Sequence, residues 1–197
     1  MQGIDPRSHR FDRPVDVDDL PEFHAARLLI LMRTCGDGRN GLIRGRTKLA
    51  KLDFFVRYPG FLEAATRRLR TQRPTLPDYR AGTEGVEASM VRFRYGPWDH
   101  RYYNLLALLE GRQLIKVGGS TVETYSLTGE GRSLADRLVA ETVYAPIVDR
   151  CRIVSVVFQG LTGNALKSFV YETFVDEVAT VPLGTIIAPT GVRNRAR

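Results

Sequence analysis

Three histidines, two cysteines and one glycine-rich loop are the residues whose types could support chemistry in this chain. His9, His24 and His100 have no second histidine four residues away, no neighbouring cysteine and no paired carboxylate at metal-site spacing. The loop over 35–41 is rich in glycine, as phosphate-binding loops are, but it lacks their Gly-Lys-Ser/Thr end and no predicted strand precedes it. A Gly-x-Ser-x-Gly nucleophile motif is also missing. The sequence therefore predicts a protein that is not an enzyme and holds no metal or cofactor.

Positive charge is concentrated in one part of the chain. The 197 residues include 29 Lys and Arg against 22 Asp and Glu, a formal net charge of +7. Between Arg39 and Arg73, ten basic residues stand against two acidic residues, Asp53 and Glu63. Such an excess favours contact with a polyanion, either DNA phosphates or an acidic protein surface. A basic face that is merely solvated is the alternative.

A strand and a helix are predicted after this basic segment. Residues 91–95 alternate apolar side chains with arginines, which is typical of a strand with one buried face. Gly96-Pro97 is predicted to end the strand, because proline donates no backbone hydrogen bond. Asp99 is a suitable cap for a helix over 99–110. The apolar stripe of this helix consists of Tyr102, Leu105, Leu106 and Leu109.

A β-hairpin is predicted directly after that helix. Residues 114–117 and 122–127 have strand character and flank Gly118-Gly119, which can supply the positive φ of a tight turn. Thr128 is predicted to cap a further helix over 129–141. A helix followed by a two-stranded hairpin is how a winged helix presents its recognition helix and its wing.

Earlier in the chain, three helices are predicted from caps and breaks. Asp19 and Glu22 have the spacing of a capping box, and the helix that follows, to about Arg33, is apolar on nearly every side. Thr47 is predicted to cap a helix that ends near Tyr58, and Pro59-Gly60 separates it from a helix over 61–70.

These patterns predict a mainly α fold with a small β-hairpin (α+β). We expect a winged helix-turn-helix core plus a C-terminal αα-hairpin. The predicted parts are a flexible N-terminal arm over 1–18, the winged-helix core over 19–142 with its basic helical pair over 39–73, a C-terminal helical interaction segment over 143–180, and a tail over 181–197.

Basic and polar side chains in the core are the candidates for binding a nucleic acid or an acidic partner. His100, Arg101 and Asn104 lie off the apolar stripe of the helix over 99–110, and Arg and Asn pair with guanine and adenine edges. An ordinary polar helix face is the alternative. The full candidate set is Arg44, Arg46, Lys48, Lys51, Arg67, Arg70, His100, Arg101, Asn104 and Lys116.

The C-terminal segment has more apolar surface than one helix needs to dock on a small core. It is predicted to form two helices that pack on the core, on another subunit or on a second copy of the chain. A strand over 153–158 is the alternative, because this stretch is rich in β-branched residues. The candidate interface residues are Ile147, Cys151, Val154, Phe158, Leu166, Phe169 and Phe174.

The sequence contains no run of 18 apolar residues and no signal-peptide pattern, and Cys35 and Cys151 lie far apart. These features predict a cytoplasmic protein with reduced cysteines and no membrane contact.

Two motifs resemble a bacterial family: RTKLAKLDFFVRYP over 46–59 and RYGPW over 94–98. They are similar to the small winged-helix middle component of ABC-three component systems, which includes accessory subunits of Lamassu-type anti-phage defence. The resemblance implies an adaptor that assembles with an SMC-like ATPase and an effector subunit. It carries over no catalytic or ligand-binding residue.

Two hypotheses for the function follow. The first is a non-enzymatic adaptor subunit whose basic helices meet DNA or an acidic partner. The second is a dimeric transcriptional regulator that reads double-stranded DNA with the helix over 99–110 and the wing over 112–127. The predicted recognition helix holds one Arg against one Asp and one Glu, which is a poor composition for an independent DNA reader and favours the adaptor.

Overall fold

The computed structural model describes residues 20–82, 89–94 and 96–188. The described part is mainly helical with two small antiparallel sheets, which confirms the predicted α+β composition. The helices are α1 (Pro21–Cys35), α2 (Arg46–Arg57), α3 (Pro59–Arg70), α4 (Tyr102–Gly111), α5 (Gly129–Ala140), α6 (Ala145–Val157) and α7 (Gly163–Thr173). The strands are β1 (Ile43–Arg44), β2 (Val91–Phe93), β3 (Gly96–Trp98), β4 (Ile115–Gly118) and β5 (Thr124–Leu127).

The first sheet has the strand order β1-β5-β4. Its β4–β5 pair is the predicted hairpin, with Ile115 opposite Leu127. Gly119 has a φ of +90° in the connection, and a Cβ there would lie 2.0 Å from the carbonyl oxygen of Val122, so only glycine fits. β1 was not predicted, because two residues are too few to show a period of two.

The second sheet corrects the prediction for residues 91–98. Gly96-Pro97 does not simply end the strand, since Gly96 has a φ of +93° and begins β3, which pairs with β2. The predicted buried face is also wrong at Phe93, whose residue surface is 42% exposed. Its ring contacts Trp98 and His100, but these contacts leave much of the residue exposed. Tyr95 lies outside the described residues.

Part of the predicted tail forms that other edge. Residue Arg92 donates its backbone N–H to Thr185 O at 2.8 Å, and Ile187 donates to Met90 O at 2.9 Å. Ile187 is buried, and its carbonyl accepts a hydrogen bond from the Tyr58 hydroxyl. Residues 181–188 are therefore part of the fold, while 189–197 and the predicted arm over 1–18 lie outside the described residues.

The hydrophobic core lies around α1, as its apolar sequence predicted. Leu28, Ile30, Leu31 and Met32 are all fully buried. α5 and α6 pack against α1, and α7 packs against α2. The stripe predicted for α4 is also confirmed, with all four of its residues buried.

The C-terminal helices belong to this same core, which is one of the packings predicted for them and corrects the assignment of their apolar residues to a partner interface. α6 and α7 are helices as predicted, not a strand. Six of the seven candidate interface residues are buried inside their own chain: Ile147, Cys151, Val154, Phe158, Leu166 and Phe174. Phe169 is half-buried and packs against Phe55 and Phe158. None of these seven side chains forms an exposed apolar surface for another subunit.

Helix starts were predicted with mixed success. Thr128 caps α5, since its Oγ1 accepts the N–H of Gly131 at 2.9 Å. In contrast, α2 begins two residues earlier than predicted, with Gly45 rather than Thr47 at its N-cap. α1 has Leu20 as its N-cap without a side-chain hydrogen bond, and Asp19 of the predicted capping box lies outside the described residues. No helix in the described ranges is long and apolar enough to cross a bilayer.

Candidate functional site

A buried network of charged side chains joins α1, α2 and α4. At its centre is Asp53, whose side chain, like that of Arg27, has no exposed surface. Arg27 donates to both carboxylate oxygens of Asp53, at 2.8 and 3.3 Å. The Tyr102 hydroxyl donates to Asp53 Oδ2 at 2.6 Å, and Arg57 Nη1 lies 3.6 Å from the same oxygen. These contacts connect the first turn of α4 to α1 and α2.

The network continues to the residues just before α4. Arg57 donates to Asp99 Oδ2 at 2.9 Å, and Asp99 also accepts from the Arg101 guanidinium and from the Arg101 backbone N–H. His24 lies between two guanidiniums, with Nδ1 2.8 Å from Arg27 Nη1 and Nε2 2.7 Å from Arg101 Nη1. His24 thus links α1 to the residues just before α4.

The charges of the network are set by competition between burial and ion pairing. Burial alone would raise the pKa of Asp53, but the charges of Arg27 and Arg57 outweigh it and lower that pKa. Burial and the adjacent Asp53 carboxylate raise the pKa of Tyr102 well above its usual value. Asp53 is therefore ionised and Tyr102 is a protonated donor at neutral pH, which keeps α4 fixed in position.

Acid is expected to weaken this network through Asp99. Burial opposes ionisation, but hydrogen bonds from Arg101 and the charge of Arg57 lower the pKa of Asp99 to about 2. Because this pKa lies below the unfolded value of about 3.9, the carboxylate stabilises the fold above pH ~4, and this contribution is lost as the pH falls through about 2. We expect Asp99→Asn to lower the free energy of unfolding by about 2 kcal/mol at pH 7 and by less than about 1 kcal/mol at pH 2.

Urea unfolding of both proteins at pH 7, 4, 3 and 2 measures this difference. A difference that stayed constant over the whole range would contradict the role given to Asp99.

Four of the arginines predicted to bind a polyanion form ion pairs within the chain. Each of these four arginines has an acidic neighbour: Arg44 with Asp37 at 2.8 Å, Arg46 with Glu123 at 2.6 Å, Arg67 with Glu63 at 3.5 Å, and Arg70 with Asp78 at 2.5 Å. The basic segment over 39–73 is therefore less strongly cationic in the fold than in the sequence. Exposed pairs such as Arg44–Asp37 are worth about 0–1 kcal/mol, so a polyanion can still compete for these arginines.

The buried position of Lys51 removes it from the set of residues predicted to bind DNA or an acidic partner. Its residue surface is 1% exposed, and its Nζ donates to Pro97 O at 2.9 Å. Burial and the nearby charge of Lys167 lower its pKa to about 7. Lys51 cannot reach a duplex phosphate from this position, although the sequence predicted it, with Lys48, as a binding residue. Lys48 itself is half-buried.

The three residues predicted to read bases, on and just before α4, do not form one exposed surface. Arg101 is engaged by Asp99 and His24, so it cannot reach a base without breaking the network. His100 precedes α4 and contacts the ring of Phe93, with 5.5 Å between the centroids. Asn104 is exposed on α4. The sequence predicted one polar face for all three, because it does not show the contact of Arg101 with His24, 77 positions away in the chain.

The sheet does bring two other candidates together. Arg44 pairs with Thr124, and Lys116 pairs with Ser126. Because Thr124 and Ser126 are two residues apart on β5, all four side chains share one face of the sheet. Arg44 and Lys116 are exposed there, whereas Ile43, Ile115, Tyr125 and Leu127 of the opposite face are buried.

An aromatic pocket beside α4 was missed in the sequence. Phe93, Trp98 and Tyr103 form it, with centroid distances of 6.3 Å between the first two rings and 5.9 Å between the last two. The cavity measures about 230 Å³, and Arg46, Thr47, Lys51, Gly96 and Glu123 complete its lining. The density of aromatic residues over 93–103 was the available signal, but the alternation over 91–95 predicted a buried position for Phe93.

The glycine-rich loop has a local structural role. Gly36, Gly38 and Gly41 have Gly-x-Gly-x-x-Gly spacing. However, the loop follows helix α1 and precedes strand β1, which is the reverse of the strand–loop–helix order of dinucleotide sites. Asp37 and Leu42 exchange two backbone hydrogen bonds and close the loop. In the described ranges, no three His, Cys, Asp or Glu side chains are grouped as a metal site.

Comparisons with protein-family models, with curated proteins and with solved structures found no match to this chain. The resemblance to a defence-system subunit thus depends on the two motifs over 46–59 and 94–98. The first motif supplies Asp53 and Arg57 to the buried network, and the second supplies Gly96 and Trp98 to the aromatic pocket.

Proposed function

We propose that this chain is a non-enzymatic winged-helix adaptor subunit of a bacterial multisubunit complex, of the anti-phage type that the motifs suggest. The order α1, β1, α2, α4, β4, β5 and the sheet order β1-β5-β4 support the winged-helix assignment. In this scheme α4 corresponds to the recognition helix and the β4–β5 hairpin to the wing. α3 and the β2–β3 hairpin are an insertion between the second and third helices of the motif.

The surface of α4 is the observation that favours an adaptor over a transcriptional regulator. Its exposed positions within the helix are Tyr103, Asn104, Ala107, Glu110 and Gly111, a set with no cation. The arginine just before the helix, Arg101, is engaged in the buried network. Independent readers of DNA need cations for phosphates and usually arginine for guanine, so this helix is better suited to contact protein.

The residue types around α4 also suit a protein partner. Tyr103 is 56% exposed, and the guanidinium of Arg46 lies 4.6 Å from the centre of its ring. Phe93 and Trp98 continue the same surface. Tyr, Trp and Arg are the residues that most often dominate binding energy at protein interfaces. We infer that this aromatic surface contacts a partner subunit, with an SMC-like ATPase and an effector as the partners implied by the resemblance.

Co-purification with the products of the neighbouring genes tests this proposal. We expect a stable complex, and we expect Tyr103→Glu to weaken it about thirtyfold, which corresponds to the loss of one interface hot spot of about 2 kcal/mol. Val143→Glu is the matched control, because Val143 is a 76% exposed apolar residue outside the α4 surface. The dissociation constants of wild type and both variants are measured by biolayer interferometry.

Duplex binding separates the adaptor from the regulator. An adaptor that touches DNA through Arg44 and Lys116 binds two unrelated duplexes equally, and Lys116→Glu reduces its salt dependence, because phosphate contacts carry no sequence information. A chain that prefers one duplex, loses that preference with Asn104→Ala and forms no complex with neighbouring gene products would instead be a regulator.

A further inference from the structure

The pocket formed by Phe93, Trp98 and Tyr103 contains a feature that the proposed function does not use. Lys51 lies in its wall although the residue is 1% exposed. A charged lysine has three donor hydrogens, and one acceptor, Pro97 O at 2.9 Å, is seen for it in the described part of the chain. A buried amine beside an open cavity is costly for the fold, and a ligand with an anionic group would offset that cost.

Among the described residues that line the pocket, Lys51 is the charged side chain outside the Arg46–Glu123 ion pair. Glu123 lines the cavity but is held by Arg46, with 2.6 Å between Nη2 and Oε2. Lys167 of α7 adds a second positive charge near Lys51. The remaining lining is mainly aromatic, with the Phe93 and Tyr103 side chains well exposed.

We propose that this cavity binds a small planar aromatic anion, whose ring lies among Phe93, Trp98 and Tyr103 and whose anionic group pairs with Lys51. A volume of about 230 Å³ suits a single ring system with a short acidic substituent. A free aromatic acid and a nucleoside monophosphate both combine a planar ring with an anionic group, with a ribose between the two in the nucleotide. The same rings form the surface proposed to contact a partner subunit, but ligand binding is tested on the isolated chain, so its outcome and that of the co-purification are distinguishable.

The fluorescence of Trp98 provides a direct measurement, since this is the only tryptophan in the chain. The purified full chain is titrated with benzoate and with adenosine 5′-monophosphate. Acetate, which has no ring, and benzyl alcohol, which has no charge, are the matched control ligands. We expect saturable quenching by benzoate, by the nucleotide or by both, and at least tenfold weaker binding of acetate and benzyl alcohol. The anion that binds more tightly shows whether the pocket prefers an aromatic acid or a nucleotide.

Lys51→Met removes the charge while keeping an apolar side chain of similar length in the core. We expect this variant to bind the preferred anion at least tenfold more weakly. Tyr103→Ala is a second variant that alters an exposed wall of the pocket without opening the core, and it should weaken binding as well. His100→Gln, beside Phe93, should bind like wild type.

Binding should also depend on pH, because the anion pairs with the charged form of Lys51. With a pKa of about 7 in the empty pocket, the amine loses its proton as the pH rises. We therefore expect about tenfold weaker binding at pH 8 than at pH 6, both for wild type and for His100→Gln. The proposal is overturned if neither anion binds, or if folded Lys51→Met binds as tightly as wild type.

Discussion

Replacing Asp53 with alanine is expected to lower the free energy of unfolding by about 3–5 kcal/mol. The variant leaves Arg27 and Arg57, two side chains without exposed surface, without the carboxylate that both contact. It also removes the acceptor of the Tyr102 hydroxyl. Since domains are typically stable by about 5–15 kcal/mol, the variant should be close to the limit of folding. Urea unfolding followed by circular dichroism measures the change.

Asp136→Ala is the matched control for this experiment. Asp136 also forms an ion pair with an arginine of α1, with 2.6 Å between its Oδ1 and Arg33 Nε, but these side chains are 50% and 38% exposed. We expect a change of about 0–1 kcal/mol, because water replaces a surface partner. Equal effects of the two substitutions would show that the buried network does not hold α4 in place.

The second large effect is expected from Phe158→Ala. The Phe158 ring stacks on Phe55 of α2 at 4.3 Å between centroids and contacts Phe169 of α7 at 5.7 Å. Removing it opens a cavity where three elements meet, which typically costs about 3–5 kcal/mol. We expect a single unfolding transition at lower urea concentration, because the C-terminal helices share the core.

Val156→Ala is the control, since Val156 is 49% exposed and lies two residues earlier. It should change stability by less than about 0.5 kcal/mol. If Phe158→Ala kept full stability but weakened binding to another subunit, the original assignment of this segment as a partner interface would be restored.

Local features of this fold were accessible from the sequence. The apolar stripe of α4, the β4–β5 hairpin around Gly119 and the Thr128 cap all depend on residues a few positions apart. Side-chain period and turn geometry act over such distances, so they leave a readable pattern in a short window. The mainly helical composition follows from the same local preferences.

The candidate site depended on contacts that no local pattern encodes. Arg27 and Asp53 are 26 positions apart, and Tyr102 reaches Asp53 across 49. Lys51 was predicted to bind a polyanion, because nothing nearby in the chain shows that β3 covers its amine. The sequence also does not show that acidic residues elsewhere, such as Glu123, neutralise part of the positive charge over 39–73.

The sequence by itself therefore determined the helices, the hairpin and the overall basic charge, because these follow from residue type and spacing along the chain. Only the tertiary structure decided which charges are buried, which are paired and which remain at the surface. It also decided that α6 and α7 complete the core, since an apolar helix face has the same sequence pattern whether its partner is its own chain or another subunit.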